Sequence, residues 1–387
     1  MAADQGVALW DVQDLVAIGA PLPFRVLDAL GRLLLSQGQV VANAAQLESL
    51  LARGAWVEYD AVAKFRVARD LTKALPAAAP PPRSNSLFDR WQQHIWELDA
   101  LFRKMAKRLP LAQELEAFSS QFITLVDRDV DVALYMAVRQ DDRRFALYAL
   151  THGLHAATLA ILTGRQLGWD VQQVLCVTRA ALTMNVCMLE LQATMAEQGT
   201  PPTPRQIEQI RSHPEGSAQM LRDCGVNDED WLNTVLDHHE QPGGGGYPRG
   251  LTEVSDRVRV LRAADVFSAK ITPRALRSPL TPQQAARDLF QLEAGSGVAN
   301  ALIKSVGVHP PGELVQLQNG EIALVTRRAA KGPNPLVSSI GNRNGQPTVG
   351  TVARDTAQPE FAIVGPCMER AKFLRVPPER VYGLITV

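Results

Sequence analysis

The sequence predicts a mainly α protein: an all-helical body, preceded by a small α+β module and followed by a small antiparallel β extension. Three observations predict it. From residue 114 to 305 apolar residues recur at a period near 3.6, punctuated by helix signals such as Thr203-Pro204 and Gly225. Pro76, Pro80, Pro81 and Pro82 crowd into one short segment that favours an extended spacer over a packed element. Beyond Pro311 the pattern changes to alternating, β-branched runs.

Each part follows in order. In residues 1–75, segments 24–28 and 32–35 read as short strands about the turn Ala29-Leu30-Gly31, with a second turn at Ser36-Gln37-Gly38. Asn43 caps a helix that runs to Arg53 and stops at Gly54, and residues 55–59 form another strand. This module carries no catalytic cluster, so a regulatory or docking role is expected of it. Residues 76–86 are the Pro-rich linker. In residues 87–113, a connecting amphipathic helix, Phe88, Trp91, Ile95, Leu98, Phe102, Met105 and Leu109 alternate at spacings of three and four. Such a seam either packs on the next domain or serves a homodimer. Residues 114–310 are the helical body. Residues 311–387 hold strands at 313–317, 322–326, 348–352 and 382–387, turns at Asn319-Gly320 and Asn344-Gly345, and a connector at 331–335.

Composition narrows the function. The 387 residues balance 40 Lys and Arg against 40 Asp and Glu, without the basic excess of a nucleic-acid binder. Cys176, Cys187, Cys224 and Cys367 make no C-x-x-C, and the first residues lack a basic, apolar leader. No apolar stretch of the roughly 18–20 residues a membrane helix needs was recognised. A cytoplasmic protein, bound to neither membrane nor nucleic acid, is the expectation.

The chemistry concentrates in Asp237-His238-His239-Glu240, followed by Gln241, Pro242, four glycines, Tyr247 and Pro248. Adjacent imidazoles point in different directions, so one can hold a metal while the other meets a second ion or a substrate oxygen. The glycines let backbone approach an anion closely. His152 and His155 lie on an apolar helix expected over residues 144–162, His213 precedes Pro214, and Asp265 interrupts an apolar helical run. A carboxylate buried there asks for a metal or a cationic partner.

In order and spacing, His152-Gly153, His213-Pro214, His238-His239-Glu240 with Gly246-Tyr247-Pro248, and Ala264-Asp265 resemble the HD-GYP family. Arg274 and Arg277 fall where that family's arginine motif follows its aspartate. The resemblance covers roughly residues 115 to 330. It implies an all-helical HD-GYP-type, metal-dependent phosphohydrolase fold that cuts cyclic di-GMP through pGpG towards GMP. It implies metal ligands at His152, His213, His238, His239 and Asp265, and ligand binding by Gly245, Gly246, Tyr247, Pro248, Arg274 and Arg277. One element departs. Met184, Asn185 and Met188 stand at the positions of the family's His, Asp and Lys, and no His-Asp dipeptide occurs in the chain. Asn185 is a poor bridge between two ions, thioether sulfur suits iron, manganese or magnesium badly, and the lost Lys removes a cation from the phosphate. The expectation is a catalytically impaired member that holds one divalent ion or none. It would act by binding cyclic di-GMP, a protein partner such as a diguanylate-cyclase-type domain, or both. The alternative is a weak phosphodiesterase using one remaining metal.

Overall fold

A computed structural model of the chain describes residues 6–72, 86–139, 147–293, 296–329, 332–367, 370–373 and 376–384. Its amino-terminal sheet has strand order β1-β4-β2-β3, all antiparallel: β1 Gly6–Ala8, β2 Val26–Leu27, β3 Leu33–Leu35 and β4 Trp56–Glu58. Helix α1, Ala44–Ala52, begins as expected, with the Asn43 side chain accepting from the Gln46 N–H. Helix α2, Tyr59–Thr72, follows β4 directly and was not expected. The Pro-rich linker lies outside the described residues except for Ser86, which opens α3, Leu87–Ala106, through a capping box with Asp89.

The apolar seam of α3 is spent inside the chain. Phe88, Trp91, Ile95, Leu98, Phe102 and Met105 are all buried, and only Leu109, past the helix end, is exposed. One core cluster runs from the amino-terminal module through α3 into the helical body. Polar contacts join the same halves. Asp99 on α3 is almost fully buried and accepts from both Arg53, at the end of α1, and Arg103, whose guanidinium also reaches the Ser49 carbonyl. Burial beside Arg103 pulls the Arg53 guanidinium down to about 10.

The body comprises α4 Ala112–Arg128, α5 Val130–Val138, α6 Tyr148–Gln166, α7 Val171–Thr183, α8 Leu189–Glu197, α9 Pro204–Asp223, α10 Glu229–Asp237, α11 Asp256–Ile271, α12 Pro282–Leu292 and α13 Gly297–Val306. Helix α6 is its axle. Every residue from His152 to Gly164 is buried, with α7, α11 and α13 packed around it. One finding runs against the composition reading: Val171–Glu197 is long and apolar enough to cross a membrane, at mean hydropathy 1.5. In the fold it is α7 and α8, broken by a turn at Met184-Asn185 and a short 3-10 segment, and its most apolar stretch of 18 residues is 61% buried.

The carboxy-terminal sheet is antiparallel in the order β8-β7-β6-β5-β9: β5 Leu314–Leu317, β6 Ile322–Arg327, β7 Leu336–Gly341, β8 Pro347–Asp355 and β9 Ile363–Pro366. Strands β7 and β9 were not foreseen, because Ser338, Ser339 and Gly365 break the alternation that marks a strand. The strand expected at 382–387 is corrected: Pro377 and Pro378 start a short helix, α14 Pro378–Val381, and Tyr382 to Leu384 turn away. Residues 385–387 lie outside the described residues. The Tyr382 ring sits 5.3 Å from Phe88 and 5.2 Å from Tyr135, which seats the extension on α3 and α5.

Replacing Asp99 by Ala leaves two guanidiniums facing each other without their carboxylate, so unfolding free energy falls by about 3 kcal/mol. Urea denaturation followed by tryptophan fluorescence measures it. A loss under about 1 kcal/mol shows that the arginines rehydrate in place.

Candidate metal centre

His213 lies within α9, one residue before a proline. Pro214 has no N–H to give to the Ile210 carbonyl four residues back, and the His213 Nδ1–H takes that carbonyl instead, at 2.5 Å. His238 follows α10, where the last carbonyls have no helical donor, and its Nδ1–H takes the Val235 oxygen at 2.6 Å. With both Nδ1 atoms protonated, each neutral ring has its lone pair on Nε2. The two Nε2 atoms face each other at 3.1 Å. Lone pairs so placed repel unless a proton or a cation lies between them. Burial disfavours the proton: it pulls His213 down to about 3, with His238 adding to the effect, and lowers His238 as well. A metal ion fits the arrangement.

His239 completes a group of three imidazoles whose ligating nitrogens all lie within 4.8 Å of one another. Burial first, then the His238 ring, hold it well below its ordinary value, so it too is neutral and able to ligate. Beside them, on α6 and α11, the His152 Nε2–H donates to Asp265 Oδ1 at 2.7 Å, with Ser268 Oγ 3.4 Å from His152 Nδ1. Burial alone would raise the Asp265 carboxyl. The hydrogen bond from His152 holds it far below the usual range instead. All five expected ligands therefore meet, as a group of three imidazoles and a neighbouring His-carboxylate pair.

Two tyrosines wall this site. The Tyr247 ring stacks on His239 at 4.6 Å, and the Tyr148 ring stacks on His152 at 5.5 Å. Reading the sequence singled out Tyr247 and missed Tyr148. The signal was present, since Tyr148 precedes His152 by four residues and so shares its helix face.

The glycine-rich loop is corrected in two respects. Glu240 is no part of the metal address: it is fully buried and accepts the Arg249, Gly250 and Leu251 N–H groups at 2.6, 3.0 and 2.9 Å. Nor do all four glycines offer amides to an anion, because the Gly243 N–H is spent on the Thr252 carbonyl and the Gly244 N–H on Gln241 and Leu251. Gly245 stays open. Gly246 is required by packing, as a Cβ there would lie 2.4 Å from the Gln241 nitrogen. Pro248 follows Tyr247 through a cis peptide bond.

Arg274 and Arg277 sit on the turn after α11. Arg274 donates to the Tyr148 hydroxyl and Arg277 to the Ala269 carbonyl. His155 faces away from the centre, stacked on Trp91 at 6.3 Å. Met184 is fully buried in the core, Asn185 sits buried at the turn after α7, and Met188 is half-buried. This turn lies against α9: the Cys187 thiol donates to the His213 carbonyl at 3.2 Å. The Asn185 Oδ1 has no hydrogen-bond donor among the described residues, an acceptor that a cation or a water would satisfy.

The comparisons with known proteins bear on this geometry. Residues 135–297 match the HD domain family. Over 182 residues, 46% of this chain, the sequence is 27% identical to the cyclic di-GMP phosphodiesterase PA4108 of Pseudomonas aeruginosa and covers 44% of it. Over 201 residues, 50% of this chain, it is 23% identical to the cyclic di-GMP phosphodiesterase PdeB of Borreliella burgdorferi and covers 53% of it. The chain thus spans about half the length of the curated relatives it matches. Among solved structures, Bd1817, an HDG"Y"P protein from Bdellovibrio bacteriovorus, aligns with 77% of this chain and 98% of its own at a TM-score of 0.50. At 15% identity that likeness shows the fold alone. Fold, family match and the meeting of histidines from α6, α9 and α10 agree: residues 135–297 are similar to the HD domain family, and the findings support the resemblance to its HD-GYP branch.

Proposed function

We propose that this protein works in cyclic di-GMP signalling by binding, with hydrolysis lost or nearly so. The observation that carries the proposal is the pair of facing His213 and His238 Nε2 atoms beside a turn that offers Asn185 where the resemblance places a bridging aspartate. The three imidazoles and Asp265 suit one divalent ion, iron, manganese or magnesium. When bound, that ion supplies positive charge to a phosphodiester oxygen. The chain supplies the rest: Arg274 and Arg277 meet phosphate from one side, and Gly245, Gly246, Tyr247 and Pro248 line the other. A neutral amide at 185 bridges no second ion, Met184 cannot ligate a hard one, and Met188 brings no charge. Each such loss costs a factor of about 10² to 10⁴ by comparison with removing electrostatic or acid–base groups.

The second reading, a weak phosphodiesterase with a single ion, is favoured by the same intact imidazoles, since one ion can still activate water. A second partner is also in view. The Gly243 to Gly245 backbone is exposed, and the loop keeps its shape through Glu240 without help from an ion. It offers a preformed docking surface for a diguanylate-cyclase-type domain in the reducing cytoplasm, where the four free thiols are at home.

Purified protein incubated with cyclic di-GMP and manganese or ferrous iron, resolved by chromatography, is expected to leave the nucleotide intact. Appearance of pGpG or GMP, absent in His238→Ala, establishes the enzyme instead. The combined Met184→His, Asn185→Asp, Met188→Lys variant is expected to gain hydrolysis by at least about 10²-fold.

The buried imidazoles also set a pH dependence for the metal-free protein. Their folded values lie below the unfolded value of about 6.5, so full stability holds above that pH and is lost as pH falls towards the folded values. In that window each histidine costs about 1.4 kcal/mol per pH unit. Urea denaturation between pH 7.5 and 5 is expected to show the decline, and saturating manganese to steepen it. A flat profile shows that the rings protonate in place.

A further inference from the structure

We infer that Tyr148 is a positioning residue that joins the arginine turn to the metal centre, its hydroxyl holding Arg274 and its ring holding His152. The inference rests on the binding reading above for its nucleotide arm alone. Tyr148 is buried at the start of α6, within the centre's own core, and no sequence motif named it.

Its two ends do different work. The hydroxyl accepts the Arg274 Nη2–H at 2.5 Å, and the guanidinium carbon stands 5.1 Å from the ring centroid. The ring lies nearly parallel to His152, 14° off, one helical turn before it. That contact restrains rotation of the imidazole about its Cβ–Cγ bond, with Nε2 aimed at Asp265. Arg274 is held but not exhausted. Its Nε is buried and has no hydrogen-bond partner among the described residues, a donor left over for an anionic oxygen. The turn is fixed from behind as well, because the Ala275 N–H donates to the Ala196 carbonyl at the end of α8, at 2.9 Å. Arg274 is thus aimed by the phenol and by α8 before any ligand arrives.

Such preorganisation matters for a phosphate ligand, since a long side chain fixed beforehand loses less freedom on binding. It also makes the two halves of the site dependent on one side chain. Removing the hydroxyl releases the arginine and leaves the ring on His152. Removing the ring releases both.

The test uses the full chain, with Tyr148→Phe, Tyr148→Leu, Arg274→Ala and the Tyr148→Phe/Arg274→Ala double variant. Three quantities are read: amide hydrogen exchange over residues 272–280, affinity for cyclic di-GMP, and affinity for Mn²⁺ alone. Tyr148→Phe is expected to speed exchange in the turn and weaken the nucleotide about tenfold, with Mn²⁺ affinity unchanged. The double variant is expected to bind nucleotide no worse than Arg274→Ala, because the hydroxyl acts only through that arginine. Tyr148→Leu is expected to weaken Mn²⁺ about tenfold as well. Equal exchange in Tyr148→Phe and the wild type overturns the positioning of Arg274, whatever the ligand. Wild-type Mn²⁺ affinity in Tyr148→Leu overturns the positioning of His152. Faster exchange in Tyr148→Phe beside a wild type that binds no nucleotide sinks the nucleotide reading and leaves the tie between Tyr148 and Arg274 standing.

Discussion

Two backbone carbonyls decide the character of this protein's centre. The Ile210 oxygen loses its helical donor because residue 214 is proline, and the Val235 oxygen loses its donor because α10 ends. Each is taken by a histidine Nδ1–H, and the tautomers of His213 and His238 follow from that alone. The lone pairs then have one direction left, towards each other. A helix break of the kind usually counted as a defect becomes the device that orients a metal ligand, with a carbonyl in the orienting role that carboxylates often play.

Around that pair the electrostatics divide cleanly. The imidazoles are desolvated and neutral, and Asp265 is the anion among them, held ionised by His152. The α6–α11 contact that makes this pair is among the tightest in the body, since α6 is buried on every side. Rigidity here is inherited from the core. The aromatic rings on His239 and His152 extend it, one within the glycine-rich loop and one towards the arginine turn.

Much of this was legible beforehand. The helical period and the capping signals at Asn43 and Thr203 led to helices that the fold contains, and three of the histidines singled out, 213, 238 and 239, stand together in it. What escaped had physical causes. Strand β7 is buried along most of its length yet carries two serines, so its pattern never alternates. The carboxy-terminal residues read as a strand because Tyr382, Ile385, Thr386 and Val387 are β-formers, but at Tyr382 the helix started by Pro378 and the packing on Phe88 and Tyr135 overrode propensity. Glu240 fell within the chemical stretch because sequence shows its proximity to His239, whereas its three N–H partners come from nine to eleven residues later. The α3 seam reads alike for a second copy or for the chain's own core, and spacing cannot distinguish them.

The Glu240 carboxylate also separates two histories. A loop that folds around its own anion keeps its outline when chemistry beside it decays, so substitutions at the α7 turn leave the outer face of the molecule untouched. A change of side chain at residue 184, 185 or 188 is felt at the metal centre and leaves the shape that a passing partner meets as it was.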